Sequence, residues 1–339
     1  ADKKTVARVF VKTADKPMSP VPGVTALLRA YRDGQYLVPS PLEPLNKVIA
    51  APYVFDRDET NHSLNFELSP GWTEAGEITL EAELNPDRVV EEEEGKFNNN
   101  KGTATVKFVP KERLNIAYVR VCTAAEGCPS PAIREAYRLL EKLYPVADGD
   151  VYYYPLGTWN WANSLQTEAE ENAFLAALRK RHELTSASDG GVPDQLVGWL
   201  PAGTGASLGM SDPLWFGAGT SGRIVYATDS SALSQLRKPP SGTISARLVD
   251  PLDPQFTLAH ELGHNYGLHH PNTPDGCNAL DDGTPWPFKN AKIAVPGFDV
   301  ERQVVIPSTR YELMSYCSPP VDNTWISAFS YQKLFDSRL

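Results

Sequence analysis

The sequence predicts an α+β protein in two parts, an all-β domain over residues 1–110 and a mixed domain of strands and helices over residues 111–339. Three observations carry this. Apolar and polar residues alternate through the first part without helical periodicity. From Lys111 onward, buried-strand runs take turns with amphipathic helical stretches. Late in the chain, "LAHELGHNYGLHH" (258–270) gathers four of the six histidines, two on one expected helix and two just past its end.

Composition sets the outer bounds. A chain of 339 residues, 41% hydrophobic and 22% charged, is long enough for two cores. No apolar run approaches the roughly 18 residues that span a bilayer. A net charge of −10 argues against a nucleic-acid partner and against docking on an anionic membrane. Four cysteines permit two disulfides and suggest an oxidising compartment, so a secreted monomer is expected, with any signal peptide removed before "ADKKTVARVF".

In the first part, "TVARVFVKT" alternates as a strand, and Asp33-Gly34 stands where a two-residue hairpin turn belongs. "SLNFELSPGW", "EITLEAELNP" and "TATVKFVP" follow at intervals suited to a β-sandwich of about seven strands, ending near Pro110. The acidic run Glu91 to Glu94 reads as a solvated hairpin loop. Calcium would need converging oxygens that a sequence does not show, so it has no support here.

The second part opens on "RLNIAYVRV" (113–121), a buried strand. A helix is expected next, with Ser130 as cap, Pro131 at its first position, and Ile133, Ala136, Tyr137, Leu140 and Leu143 on one face. "DVYYYPL" is a strand, and Thr167 and Glu170 form a capping box for the following helix. "DQLVGWLP" and "SGRIVYATD" are strand-like.

Asp253-Pro254 then starts a helix expected to reach about residue 266. On it His260 and His264 are four apart and share a face. Glu261 follows the first of them. Gly267 ends the helix, because glycine enters the left-handed conformation cheaply, and the chain can bring back a third histidine. Local geometry leaves His269 and His270 both open for that place. Three neutral imidazoles suit one Zn²⁺ and leave a position for water, whose pKa falls toward ~7; Glu261 is placed to move its proton. The pattern His-Glu-x-x-His-x-x-Gly-x-x-His should arise by chance on the order of once in 10⁵ chains of this length. An accidental match is therefore set aside.

This pattern resembles the metzincin clan of zinc endopeptidases. The resemblance implies a zincin catalytic domain with a twisted mixed sheet and an active-site helix. It assigns the third ligand to His270, ten residues after the first, and leaves His269 as a neighbour. It also implies a methionine turn beneath the metal, which "YELMSYC" supplies as Met314. Tyr316 matches the tyrosine of the astacin and serralysin branches, and this implies a phenol that stabilises developing negative charge. "GFDV" (297–300), "LMSYC" and "WISAFSYQKL" (325–334) are similar to the tail of secreted bacterial metalloproteases, some of which attack glycoproteins. Residues 221–229 would be the edge strand lining the cleft, and "SPPVDNTW" (318–325) would shape a pocket. The first domain resembles immunoglobulin-like or adhesion-type modules.

A bridge from Cys277 to Cys317 would tie the third-ligand loop to the methionine turn, closing about 40 residues for roughly 4 kcal/mol; two buried thiols are the alternative. Cys122 and Cys128 could close a small loop. His62 and His182 are isolated and read as structural. The expectation is a zinc endopeptidase acting on proteins or glycoproteins. The alternative is a binding protein whose sandwich recognises a protein or glycan, with the protease fold as scaffold; retention of Glu261 favours the enzyme.

Overall fold

The computed structural model describes residues 1–13, 19–93, 95–188, 193–201, 204, 209–211, 224–228, 254–273, 286–315, 317 and 323–337. It is a mixed α and β molecule with several small sheets and few helices. Two units divide it: Ala1–Lys111 with Val295–Ser308, and Glu112–Ala294 with Thr309–Leu339.

Among the described residues, eight strands form the N-terminal stretch: β1 (Val6–Phe10), β2 (Val21–Val24), β3 (Ala26–Arg32), β4 (Gln35–Tyr36), β5 (Ile49–Ala51), β6 (Ser63–Glu67), β7 (Gly76–Leu84) and β8 (Lys101–Phe108). They make one four-stranded antiparallel sheet, β4-β3-β7-β8, and two ladders, β1-β6 and β2-β5. This is a finer division than the seven-strand sandwich expected. Asp33 and Gly34 both take positive φ, 51° and 76°, as a type I′ hairpin requires. Leu28, Ala30, Ile49, Leu64, Phe66 and Ile78 bury a common core, closed by Trp72 on the short helix α1 (Pro70–Thr73). Fully burying such side chains stabilises by roughly 1.5–3 kcal/mol each. The acidic stretch is part of the β7–β8 connection, where Glu92 accepts from the side-chain amides of Asn85 and Asn100.

The second unit is organised by β9 (Leu114–Thr123). Parallel to it run β10 (Val151–Trp161) and β11 (Gln195–Leu200), between which β9 lies. The sheet continues through β12 (Gly209–Ser211) and β13 (Ile224–Thr228) in the order β10-β9-β11-β13-β12, with only β12 antiparallel. Of the segment expected at the edge, residues 221–229, the described part 224–228 is therefore interior to the sheet. β13 is covered on both sides by strands, and the terminal strand is β12.

Period-two alternation sorts β9 between two cores. Ile116 and Tyr118 face one core, and Ala117, Val119 and Val121 face the other. The latter core is completed by Phe174, Leu175 and Leu178. The helix expected from Ser130 is broken into a 3₁₀ turn (Pro131–Glu135) and α2 (Arg138–Leu143). Ile133 and Ala136 are joined by an i to i+3 bond of 3.2 Å, and burying both with Leu140 and Leu143 overrides helical continuity. α3 (Glu168–Ser188) begins with the expected capping box, the Thr167 amide donating to Glu170 at 3.0 Å and the Glu170 amide to the Thr167 hydroxyl at 3.3 Å. It lies close on β11: a Cβ at Gly198 would meet Leu178 Cδ1 at 2.7 Å.

α4 (Pro254–Asn265) crosses the other face, where Phe256, Leu258, Ala259 and Leu262 pack with Val197, Trp199, Leu140 and Tyr144. After it, β14 (Gly297–Asp299) and β15 (Val304–Ile306) form a hairpin that belongs to the first unit. The sequence had placed this segment with the second. The Thr60 hydroxyl accepts from the Val305 amide at 3.1 Å, and the Asp58 carboxylate takes the Ser308 amide and hydroxyl at 2.8 and 2.7 Å. β16 (Tyr311–Glu312) and β17 (Thr324–Trp325) pair in parallel, and α5 (Ala328–Asp336) ends the described chain. Among the described residues no helix is long and apolar enough to cross a membrane.

Candidate metal centre

Ten of the twelve residues of α4 are buried, His260 and Glu261 included. Burying polar side chains requires partners for them. For His260 the partner is the Leu313 carbonyl, 3.0 Å from Nδ1. For His264 it is the Leu268 carbonyl, 2.9 Å from Nδ1. A carbonyl only accepts, so in each neutral ring Nδ1 holds the hydrogen and Nε2 keeps its lone pair. The helix stops as expected. Gly267 has φ 83°, its amide donates to the His264 carbonyl, and the Leu268 amide reaches back to the Gly263 carbonyl, both at 2.9 Å. These two bonds make a Schellman motif, and they set the course of the chain toward the third histidine.

That third histidine is His270. Its Nε2 lies 3.1 Å from Nε2 of His260 and 3.0 Å from Nε2 of His264. The three ring nitrogens all fall within 4.8 Å of one another, the spacing of a group able to hold a metal ion. A hydrogen bond chain does not explain them. Nε2 of His270 carries at most one hydrogen, and it faces two bare nitrogens. A tetrahedral ion with Zn–N bonds of about 2.0–2.1 Å would set ligand nitrogens about 3.3 Å apart, so the donor set fits one such ion. Burial holds His260 well below the ordinary imidazole range, and the neighbouring charges of His264 and His270 add to this, so the ring is in the neutral, ligating form.

Beneath the helix, Met314 is fully buried. Gly263, inside α4 between the two ligands, makes room for it: a Cβ there would come within 2.8 Å of the methionine sulfur. The turn carrying Met314 is closed by the Ser315 amide donating to the Glu312 carbonyl at 2.9 Å. From the other side, the Tyr144 phenol donates to the Ala259 carbonyl at 2.7 Å, fixing the turn just before His260. Burial raises the Tyr144 phenol well above its usual range, with Tyr266 and Glu261 adding to it, so it remains a donor.

Tyr316 and Cys277 lie outside the described residues, as do Asp253, expected as the cap of α4, and positions 318–322 of the segment expected to shape a pocket. Cys122 and Cys128 are bonded to each other. Cys317 is likewise a disulfide cysteine, and the described residues include no free thiol. His182 is buried with its Nε2 2.9 Å from the Pro193 carbonyl, and His62 accepts from the Asp56 amide, both structural. The sequence reading missed the carbonyls of Leu313 and Leu268, for which side-chain patterns carry no signal. It also missed Gly263, whose place inside a helix was the available hint. No protein-family model and no curated protein matches this chain.

Proposed function

We propose that this chain is a zinc-dependent endopeptidase of the metzincin kind, secreted, and acting on proteins or glycoproteins. The observation that carries the proposal is the convergence of three imidazole nitrogens, two from the helix α4 and one from the chain that follows it, with Glu261 next to His260 in the sequence. When bound there, zinc supplies a Lewis acid and a water acidified toward a pKa of ~7.

The chain's own residues do the rest. His260 and His264 keep their hydrogens on Nδ1 and present Nε2 to the ion. The Glu261 carboxylate takes a proton from the attacking water and delivers it to the leaving amide nitrogen. A C–O bond forms, the C–N bond breaks, and one molecule of water is divided between the two fragments. Tyr316 would donate to the developing negative charge on the substrate oxygen. The outer edge of β12, with no strand paired to it among the described residues, supports an extended peptide added as a further strand.

The test is a cleavage time course with zinc-loaded protein and its Glu261→Ala variant, on unfolded casein and a mucin-type glycoprotein. Fragments from the parent alone support the peptidase. Equal fragments from both, or none from either with zinc bound, would remove Glu261 from the role given to it.

A further inference from the structure

Glu312 is buried in the second unit, and the chemistry above does not use it. Every strong bond it makes anchors one short turn. Its amide donates to the Ala291 carbonyl at 2.9 Å, and its carbonyl closes the turn to Ser315. Its carboxyl Oε2 accepts the Ser327 amide at 2.7 Å. Ser327 is the N-cap of α5, and its own hydroxyl accepts from the Ser330 amide at 3.1 Å. The turn so anchored carries Leu313, whose carbonyl orients His260, and Met314, which meets Gly263.

A carboxyl is a costly way to fill such a place. No cation is paired with it among the described residues, and Oε1 has no donor in bonding geometry, although the Ser330 hydroxyl and the Met314 amide lie near enough to lower its proton affinity. What it adds over an apolar side chain is an acceptor for the Ser327 amide, and with it a fixed distance between β16 and the start of α5.

We propose that Glu312 is a positioning residue of the metal centre: it ties the turn presenting the Leu313 carbonyl to the cap of α5, and so holds the His260 ring in its ligating orientation. This rests on the three histidines being a metal site. The route runs from the Ser327 amide through the Glu312 carboxyl and one residue of backbone to the Leu313 carbonyl, and from there to Nδ1 of His260.

The experiment measures zinc affinity against a chromophoric chelator, with the visible spectrum of the cobalt-substituted protein, for the full chain, Glu312→Ala and Glu312→Gln. Glu312→Ala should weaken zinc by about 10–100-fold, the usual effect of losing a group that orients a ligand, and should alter the cobalt spectrum. Glu312→Gln keeps an oxygen for the Ser327 amide and should stay within about threefold of the parent by the same reasoning. Ser327→Pro tests the tie from the other end. It removes the donor while φ of −73° at this position suits proline. It should reproduce the alanine loss, and the double variant should lose no more than either single. Parent-like zinc binding by folded Glu312→Ala would overturn the proposal and leave the metal site standing. If Glu312→Ala does not fold, parent-like binding by Ser327→Pro overturns it instead. A parent that binds no zinc or cobalt removes the metal-site reading, and this proposal with it.

Discussion

The sulfur of Met314 occupies the space that a side chain at Gly263 would need, 2.8 Å from where its Cβ would stand. The helix surface between the two ligand histidines is thus hollowed by one missing methyl group. Gly263→Ala should gain about 1 kcal/mol of helix propensity and lose more to overpacking, typically about 1–3 kcal/mol. A lower midpoint in denaturant is expected, with recovery when Met314→Ala is added. A midpoint that rises in the single variant would mean that Met314 moves aside freely and forms no floor.

His269 and His270 are neighbours in sequence with different fates. His270→Ala should weaken zinc by more than the roughly 10–100-fold typical of losing an outer partner, whereas His269→Ala should leave affinity near the parent value. Competition with a chelator separates the two. Equal losses would place both rings at the metal.

Gly267 holds φ 83° at the turn between the second ligand and the third. Alanine there should cost about 1–2 kcal/mol, because a Cβ crowds the following carbonyl in the left-handed region, and asparagine should cost less. Thermal unfolding of the metal-free protein gives the order. Alanine and asparagine variants as stable as the parent would show that the turn relaxes to another backbone.

Burial pushes the Glu312 carboxyl up to about 7 from its ordinary 4.5, against the pull of the Ser330 and Ser327 hydroxyls and the Ser327 and Met314 amides. The folded state therefore binds this proton more tightly than the unfolded state. Its contribution is complete below about pH 4.5 and is lost as pH rises through about 7, on the order of 3 kcal/mol in all. Glu312→Gln cannot ionise and removes this dependence. The difference in unfolding free energy between parent and variant, followed from pH 4.5 to 8, isolates it from every group the two proteins share. A difference that stays flat would place the carboxyl in a wetter setting.

Much of the candidate site and of its surrounding helices was legible because the signals are local. The spacing of His260 and His264, the cap-and-box pair Thr167 and Glu170, and the stop at Gly267 each depend on residues within one or two turns. What the sequence could not convey depends on distant partners. The Leu313 carbonyl reaches His260 across 53 positions, and nothing in a backbone oxygen marks it beforehand. The break near Ala136 follows from packing against α4, not from any poor helix former. β13 (IVYAT) carries a strand signature while β12 (GMS) carries none, so only the pairing reveals that β12 is the border of the sheet.

The return of the β14–β15 hairpin to the first unit has a consequence for synthesis. Asp58 and Thr60 leave the ribosome at least 245 residues before their partners, the backbone and hydroxyl groups of Val305 and Ser308. Domains usually complete themselves in order of emergence. Here the first unit must wait until residues 304–308 have been made, after the histidine helix, before these hydrogen bonds close. A ribosome stalled before residue 295 would leave Asp58 and Thr60 without these partners, so completion of the first unit reports that the histidine helix has already been made.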